Sequence, residues 1–255
     1  MDEKFEIILP DGTIFRSKKE SIVQGFDEEG KPKKMKFIQK TECDRCGQCC
    51  QLDTPILLKE DLPILLKGYI TEKDIYTIRE GEKIRSRIDG EIYDASMEMI
   101  KIKPIFGTSI CLFYDNAVGC TIYEVRPTVC REFECWSQNY TITGLEKRRL
   151  TRADLFRDIE ILMQAINTHE KKCSLNQFSE LVEEYANGKE ENFDKIVDMF
   201  LFDQAIRSWA KEKLNIQEDL LPVVFGRTLF ELASLFNLII EKEGENFIMK
   251  VRRTS

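Results

Sequence analysis

Four cysteines fall within eight residues of this chain, CDRCGQCC at positions 43 to 50, and no other feature narrows its possible folds as far. Two residues between cysteines let a tight loop bring two sulfurs onto one metal, as in zinc ribbons and ferredoxins. Cys43, Cys46 and Cys49 form an unbroken C-x-x-C-x-x-C run, and Gly47 gives the turn room. Three ligands at that spacing resemble a cubane iron–sulfur loop, although the Cys-Pro that follows in bacterial ferredoxins is missing. If the backbone is extended at the adjacent pair, Cys49 and Cys50 point to opposite faces and serve different centres.

A second batch lies in CLFYDNAVGCTIYEVRPTVCREFEC, residues 111 to 135. Its start reads as strand, turn, strand. If Tyr114 and Gly119 close the turn, Phe113 faces Cys120 and Cys111 lies two residues back on the same face, so the hairpin presents two thiolates side by side. Pro127 suits the first turn of a helix carrying Cys130 toward Cys135. Cys43, Cys46, Cys49, Cys50, Cys111, Cys120, Cys130 and Cys135 make eight candidate metal ligands, enough for two four-thiolate sites. Thiolates are soft donors that select zinc, copper(I) or iron–sulfur clusters. The competing reading is a set of redox disulfides. The odd total of nine cysteines fits a simple disulfide framework poorly.

His169, the single histidine, is expected on a solvated helix face rather than as a ligand. Cys173, remote from the other cysteines in sequence, is expected to be a small buried hydrophobe. Arg126 and Arg131 are candidates to bind the cofactor, by donating to cluster sulfurs or holding an anion. The alternative is a structural role in which they pair with Glu124, Glu132 or Glu134. Trp136 and Tyr140 are expected to shield the site from water.

The chain opens MDEKFEIILPDG, without an apolar signal segment, and its longest apolar-rich run, 228 to 240, is too short to span a bilayer. These features suggest a cytoplasmic protein with no membrane partner. In that compartment thiols stay reduced, which favours ligands over disulfides. A formal charge of -7 without a basic stripe argues against nucleic acid. No G-x-G-x-x-G loop appears, and one histidine leaves no Ser-His-Asp arrangement. No catalytic residue is identified.

Around the cysteines the expected fold is α+β: a small cysteine-cluster core with short hairpins, followed by a helical C-terminal region. Residues 5 to 16 read as a hairpin across Pro10-Asp11-Gly12, and 28 to 36 as a polar connector. A short helix over KEDLPILLKG carries Pro63 in its first turn. A second helix, TEKDIYTIREG, starts at Thr71 and Asp74 and stops at Gly81. Short strands follow around 91 to 103. Beyond residue 150, helical spacing predicts a helix bearing Leu155, Ile159, Leu162 and Ile166, another from Ser174 to Gly188, and one over 190 to 213 with Phe193, Ile196, Val197, Phe200 and Trp209 on its apolar face. A last helix is expected over 227 to 243, then a strand NFIMKV. The divisions are 1–37, hairpin and connector; 38–140, cysteine-cluster domain; and 150–255, helical region.

The two cysteine stretches together resemble the CxxCxxCC family of zinc- or iron-chelating domains, also called YkgJ-type cysteine-cluster proteins. The resemblance rests on CDRCGQCC, Leu58 and Asp61 before a helix, Cys111-Leu112-Phe113, Cys120 through Glu124, Arg126-Pro127, Cys130-Arg131, Phe133 and Cys135. It covers about residues 38 to 137. It implies a metalloprotein holding a 4Fe–4S iron–sulfur cluster or zinc through the eight thiolates, in a redox role or within an enzyme complex, with a protein partner. Two alternatives stand beside it. One is a structural zinc module mediating protein interaction. The other is a protein lysine N-methylase-like enzyme, because flagellin lysine N-methylases contain a similar cysteine core.

Overall fold

A computed structural model of the chain describes residues 6–8, 14–16, 20–26, 29, 31–38, 43, 45–85, 91–134, 143–243 and 246–252. Backbone contacts divide the chain into two units, Met1–Asp44 with Glu134–Tyr140 and Arg45–Phe133 with Thr141–Ser255. In the first, β1 (Glu6–Ile8) and β2 (Ile14–Arg16) form the expected antiparallel hairpin, with Ile7 opposite Phe15. The polar connector expected over 28 to 36 is largely strand instead. β3 (Glu20–Phe26) pairs with β4 (Pro32–Ile38), from Glu20 opposite Ile38 to Phe26 opposite Pro32. The alternation Lys34-Met35-Lys36-Phe37 carries the period of two that a ladder needs, and Pro32 stands at the strand's first position, where a missing N–H is tolerated.

The second unit runs α1 (Gln48–Leu52), α2 (Leu62–Leu66), β5 (Ile75–Ile78), β6 (Lys83–Arg85), β7 (Ile92–Asp94), β8 (Met99–Ile102), β9 (Tyr114–Asp115), β10 (Gly119–Cys120) and α3 (Thr128–Glu132). The helical part follows as α4 (Leu145–Arg148), α5 (Arg152–Phe156), α6 (Glu160–Lys172), α7 (Leu175–Ala186), α8 (Asn192–Leu214), α9 (Leu221–Phe225) and α10 (Leu229–Leu232), closed by β11 (Leu238–Glu243) and β12 (Asn246–Val251). This is the α+β class the sequence implies. Among the described residues no helix is long and apolar enough to cross a membrane.

Three helices expected from the sequence are altered. Thr71 and Asp74 do cap a helical start, Thr71 N donating to Asp74 Oδ2 at 2.8 Å, but it is one 3₁₀ turn. Ile75-Tyr76-Thr77-Ile78, rich in β-branched residues, then pairs as β5 with β8, Ile75 opposite Ile102 and Thr77 opposite Ile100. The helix through Leu155 and Ile159 breaks between Phe156 and Glu160 into α5 and α6. Arg152 Nη2 meets Glu170 Oε1 at 2.7 Å, whereas 18 residues of unbroken helix would hold the two about 27 Å apart. The last expected helix yields only α10 and a 3₁₀ turn. Asn237, at φ 60, ends it, and Leu238-Ile239-Ile240 enters a ladder with the NFIMKV strand.

Two apolar cores result. In one, Leu57, Ile75, Ile100, Ile102 and Leu150 around the β5–β8 pair pack with Leu162, Ile166, Val223 and Phe225. In the other, α7, α8 and α10 meet, Phe178 standing edge-on to Phe200 and Phe236 at 5.6 and 5.2 Å. Cys173 is fully buried there, as expected. Phe193 and Trp209, expected on the apolar face of α8, are instead more than a third exposed.

His169 is not on a solvated face: it is fully buried. Leu162, Ala165, Ile166 and His169 are the buried residues of α6, a spacing of three, four and seven that makes one helical face. His169 Nε2 meets Asp203 Oδ1 at 2.7 Å, and Arg207 Nε donates to the same oxygen at 2.9 Å. Nearby, Glu170 accepts from Arg79 Nε at 2.7 Å and Nη2 at 2.9 Å, and Arg152 also donates to Glu98.

These groups predict acid sensitivity. Burial lowers His169 to about 4, against the opposing pull of Asp203. Burial works against the Glu170 carboxylate, but Arg79 and Arg152 overcome it and hold it down to about 2. Asp203 is likewise held at about 2 against burial, by His169 and Arg207. All three bind fewer protons folded than unfolded. His169 therefore contributes stability fully present above its ordinary 6.5 and lost as pH falls toward 4. The carboxylates' contribution is lost from about 4.5 down to about 2. Urea midpoints measured from pH 7.5 to 3 should fall monotonically below 6.5, and a flat profile would contradict this network.

Candidate metal centre

The first cysteine loop is shaped by two left-handed residues, Arg45 at φ 57 and Gly47 at φ 74. Gly47 opens α1, Gln51 N donating to Gly47 O at 3.0 Å. A Cβ at Gly47 would lie 2.1 Å from the Tyr114 ring, so the residue serves close approach as well as the turn. Because Cys49 and Cys50 stand in α1, the premise of an extended backbone fails. Helical neighbours point about 100° apart rather than to opposite faces, and the two Sγ atoms are 3.9 Å apart.

The loop meets the second batch directly. Cys111 N donates to Cys50 O at 2.7 Å, Gln51 Nε2 to Tyr114 OH at 3.0 Å, and Ser109 Oγ to Gln51 O at 3.2 Å. Arg45 pairs with Glu124 at 3.1 Å, and Arg45 and Arg126 both stack on the Tyr123 ring, at 3.8 and 3.9 Å.

The β9–β10 hairpin has a register one residue away from the expected one. Tyr114, not Phe113, faces Cys120, and Asp115 faces Gly119. The loop is Asn116, Ala117 and Val118, with Asp115 Oδ1 accepting from Ala117 N at 2.7 Å and Val118 N at 3.1 Å. Gly119 takes the left-handed conformation at φ 78, as a three-residue loop requires. Cys111 is outside the ladder, bridged to Pro104, so the hairpin does not set it beside Cys120 through strand pairing.

Within the second unit, Cys49, Cys50, Cys111, Cys120 and Cys130 stand near enough to act on one another's charge. The hydrogen bond with Cys50 lowers Cys49 to about 6, and the same bond, burial and the charges of Cys49, Cys111 and Cys120 raise Cys50. Burial raises Cys111 and Cys130, and neighbouring thiols add to both. A cation among them would reverse that mutual repulsion. Cys46 is exposed beside them in the loop. Cys43 is half-buried in the first unit. Cys135, Trp136 and Tyr140 lie outside the described residues. Among those described, no three Cys, His, Asp or Glu side chains converge closely enough to hold an ion.

The donor set nevertheless suits zinc or iron. Two sulfurs each about 2.3 Å from one tetrahedral ion stand about 3.8 Å apart, close to the 3.9 Å between Cys49 and Cys50.

Arg126 donates to Tyr123 O at 2.7 Å, and Arg131 to Thr128 Oγ1 at 3.0 Å with Asp61 Oδ1 3.8 Å away. The carboxylates considered for them are engaged elsewhere in two cases, Glu124 by Arg45 and Glu132 by Arg148 at 2.6 Å. Sequence reasoning missed Tyr114, which closes over Gly47. The glycine inside the cysteine run was its only signal.

A family model described as "CxxCxxCC: Putative zinc- or iron-chelating domain" matches residues 42–173, just over half of the 255. It reaches through α6, beyond the cysteine stretches themselves. No curated protein and no solved structure matches the chain.

Proposed function

The chain belongs to the CxxCxxCC family of zinc- or iron-chelating domains, and from that membership we propose that it is a thiolate metalloprotein whose centre uses Cys49 and Cys50 on a single zinc or iron ion. The observation that carries this reading is the 3.9 Å between the two sulfurs, together with their neighbours Cys111, Cys120 and Cys130. Cys46 completes the candidate donors of the second unit, and Cys43 and Cys135 remain candidates from the sequence. A bound ion would take its cysteines as thiolates, so binding would release protons from Cys50 and Cys130, whose thiols are raised in its absence.

A second reading, a 4Fe–4S cluster, is favoured by the C-x-x-C-x-x-C spacing of Cys43, Cys46 and Cys49. An iron centre of either kind would serve electron transfer, whereas zinc, which has no redox chemistry, would organise a surface for a protein partner. Anaerobic purification followed by elemental, sulfide and visible-absorption analysis tests both. Zinc or iron near stoichiometric, without acid-labile sulfide, is the expected result. Labile sulfide with a broad visible band selects the cluster. Protein free of both metals after growth with each would overturn the proposal.

A further inference from the structure

Asp61 sits in the 3₁₀ turn Lys59–Asp61 ahead of α2 and is fully buried. Its Oδ2 accepts from Leu58 N at 2.9 Å, closing its own turn. Its Oδ1 accepts from Thr128 N at 2.8 Å and Thr128 Oγ1 at 2.7 Å. Thr128 is the first residue of α3, the five-residue helix that carries Cys130. A helix this short is not stable alone, so its place depends on what grips it. Besides Arg131 Nη2, which stands 3.8 Å from Asp61 Oδ1, two ties join it to the segment around Asp61. At the far end Arg148 bridges Glu60 and Glu132, at 2.6 Å to each, on the surface. At the near end the buried carboxylate satisfies donors that have no partner within the helix. Exposed ion pairs are worth little and buried charge-assisted hydrogen bonds are not.

We propose that Asp61 is the positioning residue for Cys130: by clamping the start of α3 it fixes where that thiol stands relative to Cys49, Cys50 and Cys111. Leu57, four residues before Asp61, is hydrogen-bonded into the sheet core through Ile100 O at 2.8 Å. The clamp thus transmits the position of rigid β structure to a ligand on a marginal helix. The metal-affinity consequence rests on the proposed thiolate centre; the positioning of Cys130 does not.

The test uses the full chain, prepared anaerobically with and without zinc(II). Asp61→Asn keeps the size but turns an N–H toward a backbone donor. In the metal-free protein, alkylation followed by peptide mapping should show Cys130 reacting at least about fivefold faster relative to Cys111. Zinc affinity, read by competition with a chromophoric chelator, should weaken by about tenfold to hundredfold. Glu60→Gln, which removes the charge from the exposed tie and leaves the buried one intact, should stay within about twofold. If D61N does not fold, Thr128→Val and Thr128→Ser decide, since only serine keeps the hydroxyl donor: valine should reproduce the Cys130 effect and serine should not. Equal acceleration of all thiols, or no difference between valine and serine, overturns the inference. If the wild type binds no zinc or iron while Cys130 is still selectively released, the metal reading falls and the positioning stands.

Discussion

Asp203→Ala is expected to destabilise the protein by about 3–5 kcal/mol, because it strips a buried guanidinium of its carboxylate partner. Asp203 is fully buried and both oxygens are used. One takes His169 Nε2 and Arg207 Nε, and the other accepts from Leu229 N at 3.0 Å, at the start of α10. Arg207 in turn donates to the carbonyls of Phe225, Gly226 and Arg227 at 3.1–3.2 Å. Loss of the carboxylate therefore leaves a charge without a counter-ion and releases the segment between α9 and α10. Against a typical total of about 5–15 kcal/mol, that approaches unfolding. Asp203→Asn retains the volume and one acceptor and should cost about 1–3 kcal/mol. Urea denaturation at pH 7 with unchanged m-values checks both. A loss under about 1 kcal/mol for the alanine variant would mean that water replaces the carboxylate.

This network was the least legible part of the sequence. Arg79, Arg152, Glu170 and Arg207 fall in expected helices and Glu98 in an expected strand, all looking like solvated charges. Only their placement in three dimensions buries the three guanidinium groups and half-buries the two carboxylates. His169 was an exception that could have been read: with Leu162, Ala165 and Ile166 already on one stripe, the next position in the stripe is 169. Its polarity argued for solvent, but the period argued for the core, and the period won. The same competition decided Ile75–Ile78, where a genuine cap at Thr71 and Asp74 suggested a long helix. A cap fixes where a helix starts and says nothing about how far it runs. β-branched residues and a partner strand at Met99–Ile102 ended it after one turn.

The cysteine region was more legible. Spacing separated two batches, while Gly47, the turn residues after Tyr114 and Pro127 marked the turn, the hairpin at Cys120 and the start of the helix under Cys130. Contact between the loop and the 109–114 segment follows from backbone hydrogen bonding that no spacing encodes, such as Cys111 N to Cys50 O. Register was missed by one residue because Asp115 caps its own loop and Gly119 takes a positive φ. Such side-chain to backbone bonds lengthen a hairpin loop in a way a two-residue alternation cannot anticipate.

Gly47→Ala should deplete the proposed centre of metal, and its contrast with another glycine separates two causes. An alanine at φ 74 carries the left-handed penalty of about 1–2 kcal/mol. Its Cβ also meets three atoms of the Tyr114 ring at 2.1, 2.7 and 2.8 Å. Tyr114 cannot withdraw freely, because its hydroxyl accepts from Gln51, its N–H donates to Cys111 O at 2.9 Å, and it faces Cys120 across the hairpin. Displacing it moves α1, and with α1 Cys49 and Cys50, away from Cys111 and Cys120. The expected total is about 2–4 kcal/mol of lost stability, with metal per chain falling below about half of wild type. Gly68 has the same backbone conformation, φ 71, but nothing within 4 Å of a Cβ. Gly68→Ala should therefore carry the backbone penalty alone and retain full metal content. Elemental analysis and urea denaturation of both variants separate strain from crowding, and equal metal content in the two would refute a role for the Gly47–Tyr114 contact in holding the thiols together.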